Sequence, residues 1–165
     1  MKTAGLRREA CFHQAAPGLL IGRRPRGFEL PANCALVVDL TSEFIEAPGV
    51  VARCRYRCLP TLNRHVPDPA ELESLLLELI DFQGVLYVHC GAGRGRSAML
   101  VAALLVLRGH ARDVAAAELQ LKALRPGVRL HAAQRALIER LCEALALRRG
   151  AVLQMPAPSA TTLCA

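Results

Sequence analysis

The strongest constraint in this chain is a glycine-rich loop of nine residues, His89 to Ser97, with the sequence HCGAGRGRS. The loop follows an apolar β-type run, 85–88, and precedes a strongly helical run, 98–107. This order predicts a strand, a tight loop and a helix that starts near Arg96. The three glycines let the backbone turn its N–H groups toward one point, which the positive end of the helix also faces. The loop is therefore expected to bind an anion.

Two side chains of the loop, Cys90 and Arg96, indicate which reaction this anion site could catalyse. Cys90 lies at its mouth, where positive potential favours the thiolate over the thiol. Arg96 supplies a planar guanidinium that can bind two oxygens of one phosphoryl group. A thiolate, a set of N–H donors and a guanidinium are the groups needed for nucleophilic attack on phosphorus.

The pattern His-Cys-x5-Arg-Ser resembles the signature loop of the cysteine-dependent protein tyrosine and dual-specificity phosphatases. The residues that match the family at this loop are His89, Cys90, Gly93, Arg96 and Ser97. Three further segments, 38–41, 56–62 and 124–126, look like bacterial members of the dual-specificity group. The resemblance covers roughly residues 17–147 and implies the phosphatase fold, with hydrolysis of phosphomonoesters through a phosphocysteine.

The resemblance also implies roles for the loop residues. Cys90 attacks phosphorus, while Arg96 and the loop N–H groups stabilise the equatorial oxygens. Ser97 hydrogen-bonds the sulfur and helps it to leave in the second step, and His89 supports the loop by orienting it. The expected substrate-binding residues are Gly91, Ala92, Gly93, Arg94, Gly95 and Asn63. For Arg94, a solvated loop position is the alternative.

The general acid is where the chain departs from the family pattern. The family takes an Asp from a loop upstream of the signature, and bacterial relatives tend to have Leu-Pro-x-Leu-Asp there. This chain has LPTLN at 59–63, with Asn63 at the position of the acid. An amide cannot donate a proton as a carboxylic acid does, and losing a general acid costs about 10²–10⁴-fold in rate.

Three alternatives for the missing acid stay open at this point. Asp68 is the expected catalytic residue if the acid is displaced along the loop, although its place before Pro69 also fits a helix N-cap. His65 is a second candidate. The third alternative is a reaction without an acid, and its limiting case is a catalytically weak phosphate-binding module.

The remaining pattern predicts an α/β domain with a central, mostly parallel sheet of four to five strands flanked by helices. The expected strands are 19–22, 35–40, 50–59 and 85–88, with Pro60 ending the third. The expected helices follow Asp68, Gly95, Asp113 and Leu130, and the last one runs to about Leu147. Residues 1–16 are expected to be a loose lead-in, 17–148 the phosphatase-like domain and 149–165 a disordered tail.

The net charge and the aromatic content of the chain indicate which classes of binding partner to expect. The net charge of +7 favours a phosphorylated protein or a small phosphomonoester, and it leaves an anionic lipid as an alternative. The loop also resembles those of lipid-directed relatives. Nucleic acid is a poor fit, because aromatic residues make up 4% of the chain and Trp is absent.

The cysteines of the chain indicate neither structural disulfides nor a metal site. Seven cysteines at irregular spacing do not suggest a disulfide framework, and Cys54-x3-Cys58 lacks the second pair that zinc ligation needs. We therefore expect no metal and no cofactor.

The longest uncharged apolar run, 98–107, is shorter than the roughly 20 residues that span a bilayer. The charged N-terminus does not resemble a signal peptide, so a cytoplasmic location is expected.

Overall fold

One sheet of five strands organises the described residues, 10–26 and 29–153, of the computed structural model. The strand order is β1-β2-β5-β3-β4; β1 runs antiparallel to β2, and all the other neighbours are parallel. The predicted α/β fold with a mostly parallel sheet is confirmed. The elements are β1 (Phe12–Ala16), β2 (Leu19–Arg23), β3 (Cys34–Thr41), α1 (Pro48–Val51), β4 (Arg55–Thr61), α2 (Pro69–Ile80), β5 (Val85–Cys90), α3 (Arg96–Leu107), α4 (Val114–Leu124) and α5 (Ala132–Leu153).

The main core lies between the sheet and the helices α2 to α5. The central strands β3 and β5 are buried along nearly their whole length, as their apolar sequences require in a parallel sheet. The helix α3 is buried from Arg96 to Leu105 and packs against β5, α4 and α5. Because β5 and α3 are both fixed in the core, the loop between them is held at both ends.

Two helices begin where the sequence predicts. Asp68 caps α2, its Oδ1 accepting hydrogen bonds from the backbone N–H groups of Ala70 at 2.9 Å and Glu71 at 3.0 Å. Asp113 caps α4 in the same way through the N–H of Ala116 at 2.7 Å. Both carboxylates satisfy donors that have no partner inside the helix.

The expected loose lead-in contains a strand. β1 pairs with β2 in the register Phe12 opposite Gly22 and Ala16 opposite Leu19, so only Pro17 and Gly18 connect them. Gly18 has a φ of +70°, which the tight turn requires. The Pro-Gly pair is a turn signal that was present in the sequence. The short edge strand itself carries a mixed polar pattern that does not alternate cleanly.

The prediction of a strand over 50–59 was wrong for residues 50–54. Residues Pro48–Val51 form the short helix α1, which buries Val50 against the second face of the sheet. The strand β4 starts only at Arg55 and continues through Pro60 to Thr61. Pro60 is tolerated because β4 lies at the edge of the sheet, where its missing N–H leaves no ladder bond unmade.

The last helix is longer than predicted. α5 extends to Leu153 and so includes the first residues of the expected disordered tail. Arg149 forms a two-fold ion pair with Asp81, at 2.9 and 3.1 Å, which ties this end of α5 to the end of α2. Residues 154–165 lie outside the described part of the chain, and the domain boundary at 148 stays a prediction. Among the described residues, no helix combines the length and the apolar character that crossing a membrane requires.

Glu118 on α4 joins three elements beside the loop that leads into α5. Its Oε1 accepts from the N–H of Leu130 at 3.2 Å and from Lys122 at 2.9 Å, and its Oε2 accepts from Arg135 at 2.7 Å. Burial alone would raise the pKa of this carboxyl, but the hydrogen bonds outweigh it and lower the pKa to about 2. The carboxylate is therefore a structural anchor for residues 129–135.

We expect Glu118→Gln to lower the free energy of unfolding at pH 7 by about 1–3 kcal/mol, because charge-assisted hydrogen bonds of a buried group are lost. The folded pKa lies below the unfolded value of about 4.3, so this contribution is complete above that pH and disappears as the pH falls toward 2. Urea denaturation from pH 7 to pH 2 measures the difference between wild type and variant. A difference that stays constant over this range would contradict the assignment, and Glu139→Gln, at an exposed position of α5, is the matched control.

Candidate active site

A cavity of about 550 Å³ opens where β3, β4 and β5 end. In an open parallel sheet this edge is where ligands bind. Its walls come from the segments that follow these strands and from the loop before α5. The lining residues are Glu43, Phe44, Asn63, Arg64, Cys90, Gly91, Ala92, Arg94, Gly95, Arg96, Gly127, Arg129 and His131.

The turn of the 91–95 loop depends on close contact between two glycines. Gly93 has a φ of +72°, and a Cβ at this position would lie 2.4 Å from the carbonyl carbon and oxygen of Gly22 on β2. Gly22 is restricted in turn, since its own Cβ would lie 2.2 Å from the Tyr87 hydroxyl. Gly93 therefore shapes the loop from behind, whereas its neighbours Gly91, Ala92, Arg94 and Gly95 line the cavity, and their binding of substrate stays a prediction.

Arg125 holds the carbonyl groups of the loop on its outer side. This side chain is completely buried. Its Nε donates to the carbonyl of Gly93 at 3.2 Å, and its guanidinium also donates to the carbonyls of Ala92 at 3.3 Å and Ala10 at 3.2 Å. With the carbonyls bound outside, the N–H groups of the loop are directed to the inner side.

Backbone contacts fix the loop at two further points. The N–H of Arg24 donates to the carbonyl of Gly91 at 3.2 Å, and the N–H of Arg129 donates to the carbonyl of Arg94 at 3.1 Å. The sequence analysis assigned Arg125 no function in the site. The resemblance of 124–126 to the family was the single sequence signal that pointed to it.

Cys90 and Ser97 meet at the floor of the cavity. The Cys90 side chain is buried, and its Sγ lies 3.4 Å from the Ser97 Oγ. Burial by itself would raise the pKa of this thiol. The Ser97 hydroxyl and the backbone N–H groups of Ser97, Gly93 and Arg94 outweigh burial and lower the pKa below its usual value. The loop thus stabilises the thiolate form of Cys90.

Arg96 is buried and held in a fixed orientation. Its Nη1 donates to the carbonyls of Thr61 at 2.7 Å and Leu40 at 3.3 Å, and its fork contacts Glu43 through both oxygens at 2.6 and 2.5 Å. Hydrogen bonding from Arg96 lowers the pKa of Glu43 to about 2. Among the described residues, the Nε of Arg96 has no hydrogen-bond partner. Sequence reasoning did not identify Glu43 as part of the site.

His89 lies beneath the loop between two buried carboxylates. Its Nε2 is 3.0 Å from Glu46 Oε2, and its Nδ1 is 3.8 Å from Asp39 Oδ1. Asp39 also accepts from the Tyr56 hydroxyl at 2.8 Å and from the Thr41 N–H at 2.8 Å. In the described part of the chain these three side chains are close enough to share a metal ion. The two ring nitrogens face different carboxylates, and neither nitrogen has a hydrogen-bond partner among the described residues.

The loop after β4 places Asn63 in the cavity wall and Asp68 outside it. Asn63 and Arg64 line the cavity, and Arg64 adopts a left-handed conformation with a φ of 66°. Asp68 caps α2 and does not line the cavity, and its expected role as a displaced acid stays a prediction. His65 does not line it either; its Nδ1 lies 3.0 Å from the carbonyl oxygen of Asn63.

Several wall residues had no signal in the sequence. These are Phe44, Arg64, Gly127, Arg129 and His131. They come from loops that meet only in the folded chain, so neither spacing nor composition placed them near Cys90.

Cys90, whose thiolate form is stabilised, lies at the end of a parallel strand, beside inward-facing N–H groups and a buried arginine at the start of the next helix. These features define the class of protein. This is the phosphate-binding loop of a cysteine-based phosphatase.

The chain belongs to the family described as "Swiss Army Knife protein, DSP-PTPase phosphatase domain", whose model matches residues 24–146. It is a cysteine-based phosphatase of the dual-specificity type. No curated protein sequence matches the chain.

Solved structures share the fold at low sequence identity. PTPMT1 in complex with PI(5)P is 22% identical with a TM-score of 0.70, over 84% of this chain and 99% of PTPMT1. Tk-PTP in its active form is 19% identical with a TM-score of 0.69, over 82% and 99%. The human tyrosine phosphatase-like serine/threonine/tyrosine-interacting protein is 22% identical with a TM-score of 0.68, over 82% and 97%.

We expect Ser97→Ala to raise the pKa of Cys90, because one donor to the thiolate is lost. The pH midpoint of alkylation of Cys90 by iodoacetamide should rise by about one pH unit. Mass spectrometry identifies the labelled residue, and Cys90→Ser provides the control that lacks it. An unchanged midpoint would show that the Ser97 hydroxyl does not stabilise the thiolate.

Proposed function

We propose that this phosphatase acts on phosphotyrosine and other phosphorylated side chains of proteins through a phosphocysteine at Cys90. The observation that carries the proposal is the buried Cys90 Sγ in the lining of the cavity, at the end of β5 and 3.4 Å from the Oγ of Ser97 in the first turn of α3. Its lowered pKa supports a nucleophilic thiolate.

In the proposed first step the Cys90 thiolate attacks phosphorus and the bond from phosphorus to the leaving oxygen breaks. The N–H groups of the loop and the Nε of Arg96 stabilise the charge on the equatorial oxygens. In the second step water attacks the phosphocysteine, and the Ser97 hydroxyl stabilises the departing thiolate. Glu43 orients Arg96 through its two hydrogen bonds and takes no part in proton transfer.

The walls of the cavity support an aryl phosphate as substrate. Four arginines, at 64, 94, 96 and 129, line it and favour a dianion. The ring of Phe44 also lines it and offers an apolar surface to the ring of phosphotyrosine. The guanidinium of Arg24 lies over this ring at 5.1 Å and stabilises its position.

A phosphorylated lipid is the second candidate substrate. Ile45 is 91% exposed and Leu62 is 62% exposed, on the two loops that carry the wall residues Phe44 and Asn63. Exposed apolar side chains beside arginines suit a surface of anionic lipid. The related structure of PTPMT1 contains a phosphoinositide, PI(5)P. A phosphomonoester on a lipid headgroup presents the same dianion to the loop.

The proposed compartment is the reducing cytoplasm. The six cysteines in the described part of the chain are free thiols. A nucleophilic cysteine must stay reduced to act, and the cytosol keeps thiols in that state.

We expect Cys90→Ser to abolish turnover of p-nitrophenyl phosphate, with Cys58→Ser, at an exposed cysteine of β4, as the matched control that retains it. Vanadate should inhibit the wild type, because the loop is shaped to hold five-coordinate phosphorus. Turnover that survives Cys90→Ser would refute the phosphocysteine mechanism.

We expect a higher kcat/KM for a phosphotyrosyl peptide than for a phosphoinositide in anionic vesicles. Substitution of Ile45 by Ser should leave peptide turnover unchanged, because this side chain points to solvent and does not line the cavity. The reverse preference, together with loss of vesicle turnover in Ile45→Ser, would favour the lipid phosphatase.

A further inference from the structure

The proton donor for the leaving group is the part of the reaction that the loop of Cys90 does not supply. When phosphorus is attacked, the leaving oxygen gains a full negative charge unless it is protonated. A donor must lie in the cavity wall, where the leaving group projects. The wall residues with titratable or charged side chains are Glu43, Arg64, Cys90, Arg94, Arg96, Arg129 and His131.

All but one of these side chains are unsuited to this task. Glu43 is the carboxyl group among them, and its two hydrogen bonds from Arg96 keep it ionised, so it has no proton to give. The guanidinium groups hold their protons too tightly for general acid catalysis. Cys90 is the nucleophile. His131 remains, and imidazole is the side chain that most often acts as a general acid.

The two acids suggested by the sequence are engaged elsewhere. The Asp68 carboxylate accepts two backbone hydrogen bonds at the start of α2. The His65 ring lies beside the carbonyl of Asn63 and outside the lining of the cavity.

His131 is held beside the loop of Asn63 by a buried glutamine. The N–H of His131 donates to Gln134 Oε1 at 3.1 Å, and Gln134 Nε2 donates to the carbonyl of His65 at 3.2 Å. Gln134 is fully buried and so fixes both segments together. The preceding residue, Leu130, is anchored through its N–H to Glu118. The half-buried His131 therefore lines the cavity from a segment that is tied through Gln134 to the loop of Asn63.

We propose that His131 is the general acid of this phosphatase and replaces the carboxylic acid that Asn63 cannot provide. The proposal rests on the phosphocysteine mechanism above. As the Sγ–P bond forms, the electron pair of the breaking P–O bond moves to the leaving oxygen, which takes the proton of the imidazolium. The neutral imidazole then accepts a proton from the water that attacks the phosphocysteine, while the electron pair of the S–P bond returns to Cys90.

The test compares two substrates that differ in their need for a proton. The p-nitrophenolate of p-nitrophenyl phosphate leaves readily without protonation, whereas the phenolate of phenyl phosphate does not. We expect His131→Gln to change kcat/KM for p-nitrophenyl phosphate by less than about threefold and to lower that for phenyl phosphate by about 10²-fold. His110→Gln, at an exposed histidine after α3, is the matched control and should change neither value.

A rescue experiment separates catalysis from folding. In the double variant with Asn63→Asp and His131→Gln, a carboxylic acid returns to the neighbouring loop, and turnover of phenyl phosphate should recover. Equal loss with both substrates, no loss with either, or a substrate-selective loss in His65→Gln instead would overturn the assignment. If Cys90→Ser leaves the turnover of p-nitrophenyl phosphate intact, the phosphocysteine mechanism itself fails, and that result is distinct from those three.

Discussion

The site depends on keeping a negative charge on a buried sulfur. Removing a charge from water is unfavourable by several kcal/mol unless hydrogen bonds replace the lost solvation. For Cys90 the replacement comes from the Ser97 hydroxyl and from N–H groups of the loop. These donors stay inward because Arg125 binds the carbonyls of Ala92 and Gly93 on the outer side. The end of α4 is thus as much a part of the anion site as the loop itself.

A second balance of charge surrounds Arg96. A phosphate dianion, the Cys90 thiolate and the Glu43 carboxylate would together place more negative charge near this guanidinium than it can neutralise. The arginines at 64, 94 and 129 on the same wall offset the excess. Glu43 in return prevents Arg96 from rotating, so that the entropy of ordering this long side chain is lost on folding and not on binding substrate.

Local patterns in the sequence predicted the local parts of this structure. The caps at Asp68 and Asp113, the buried central strands and the Cys90 loop each depend on residues close together in the chain. Contacts between distant residues had no such pattern: Arg96 meets Glu43 across 53 positions, and Arg125 meets Gly93 across 32. The edge strand β1 was not predicted, and the start of β4 was placed too early in the chain. Both errors have a related reason: pairing with a neighbouring strand, and not local periodicity, decides whether such short segments are extended.

The amide at position 63 changes the electrostatics of the wall as well as its proton supply. An aspartate there would be negative after donating its proton, beside a phosphocysteine that is itself anionic. Histidine differs, because an imidazolium that gives up its proton becomes neutral and adds no negative charge to the site. Asn63 is neutral throughout, so this position adds no negative charge to that of Glu43 on the same wall. The departure from the family pattern at Asn63 therefore fits a site that favours binding of the dianion and takes its proton from His131, on the neighbouring loop.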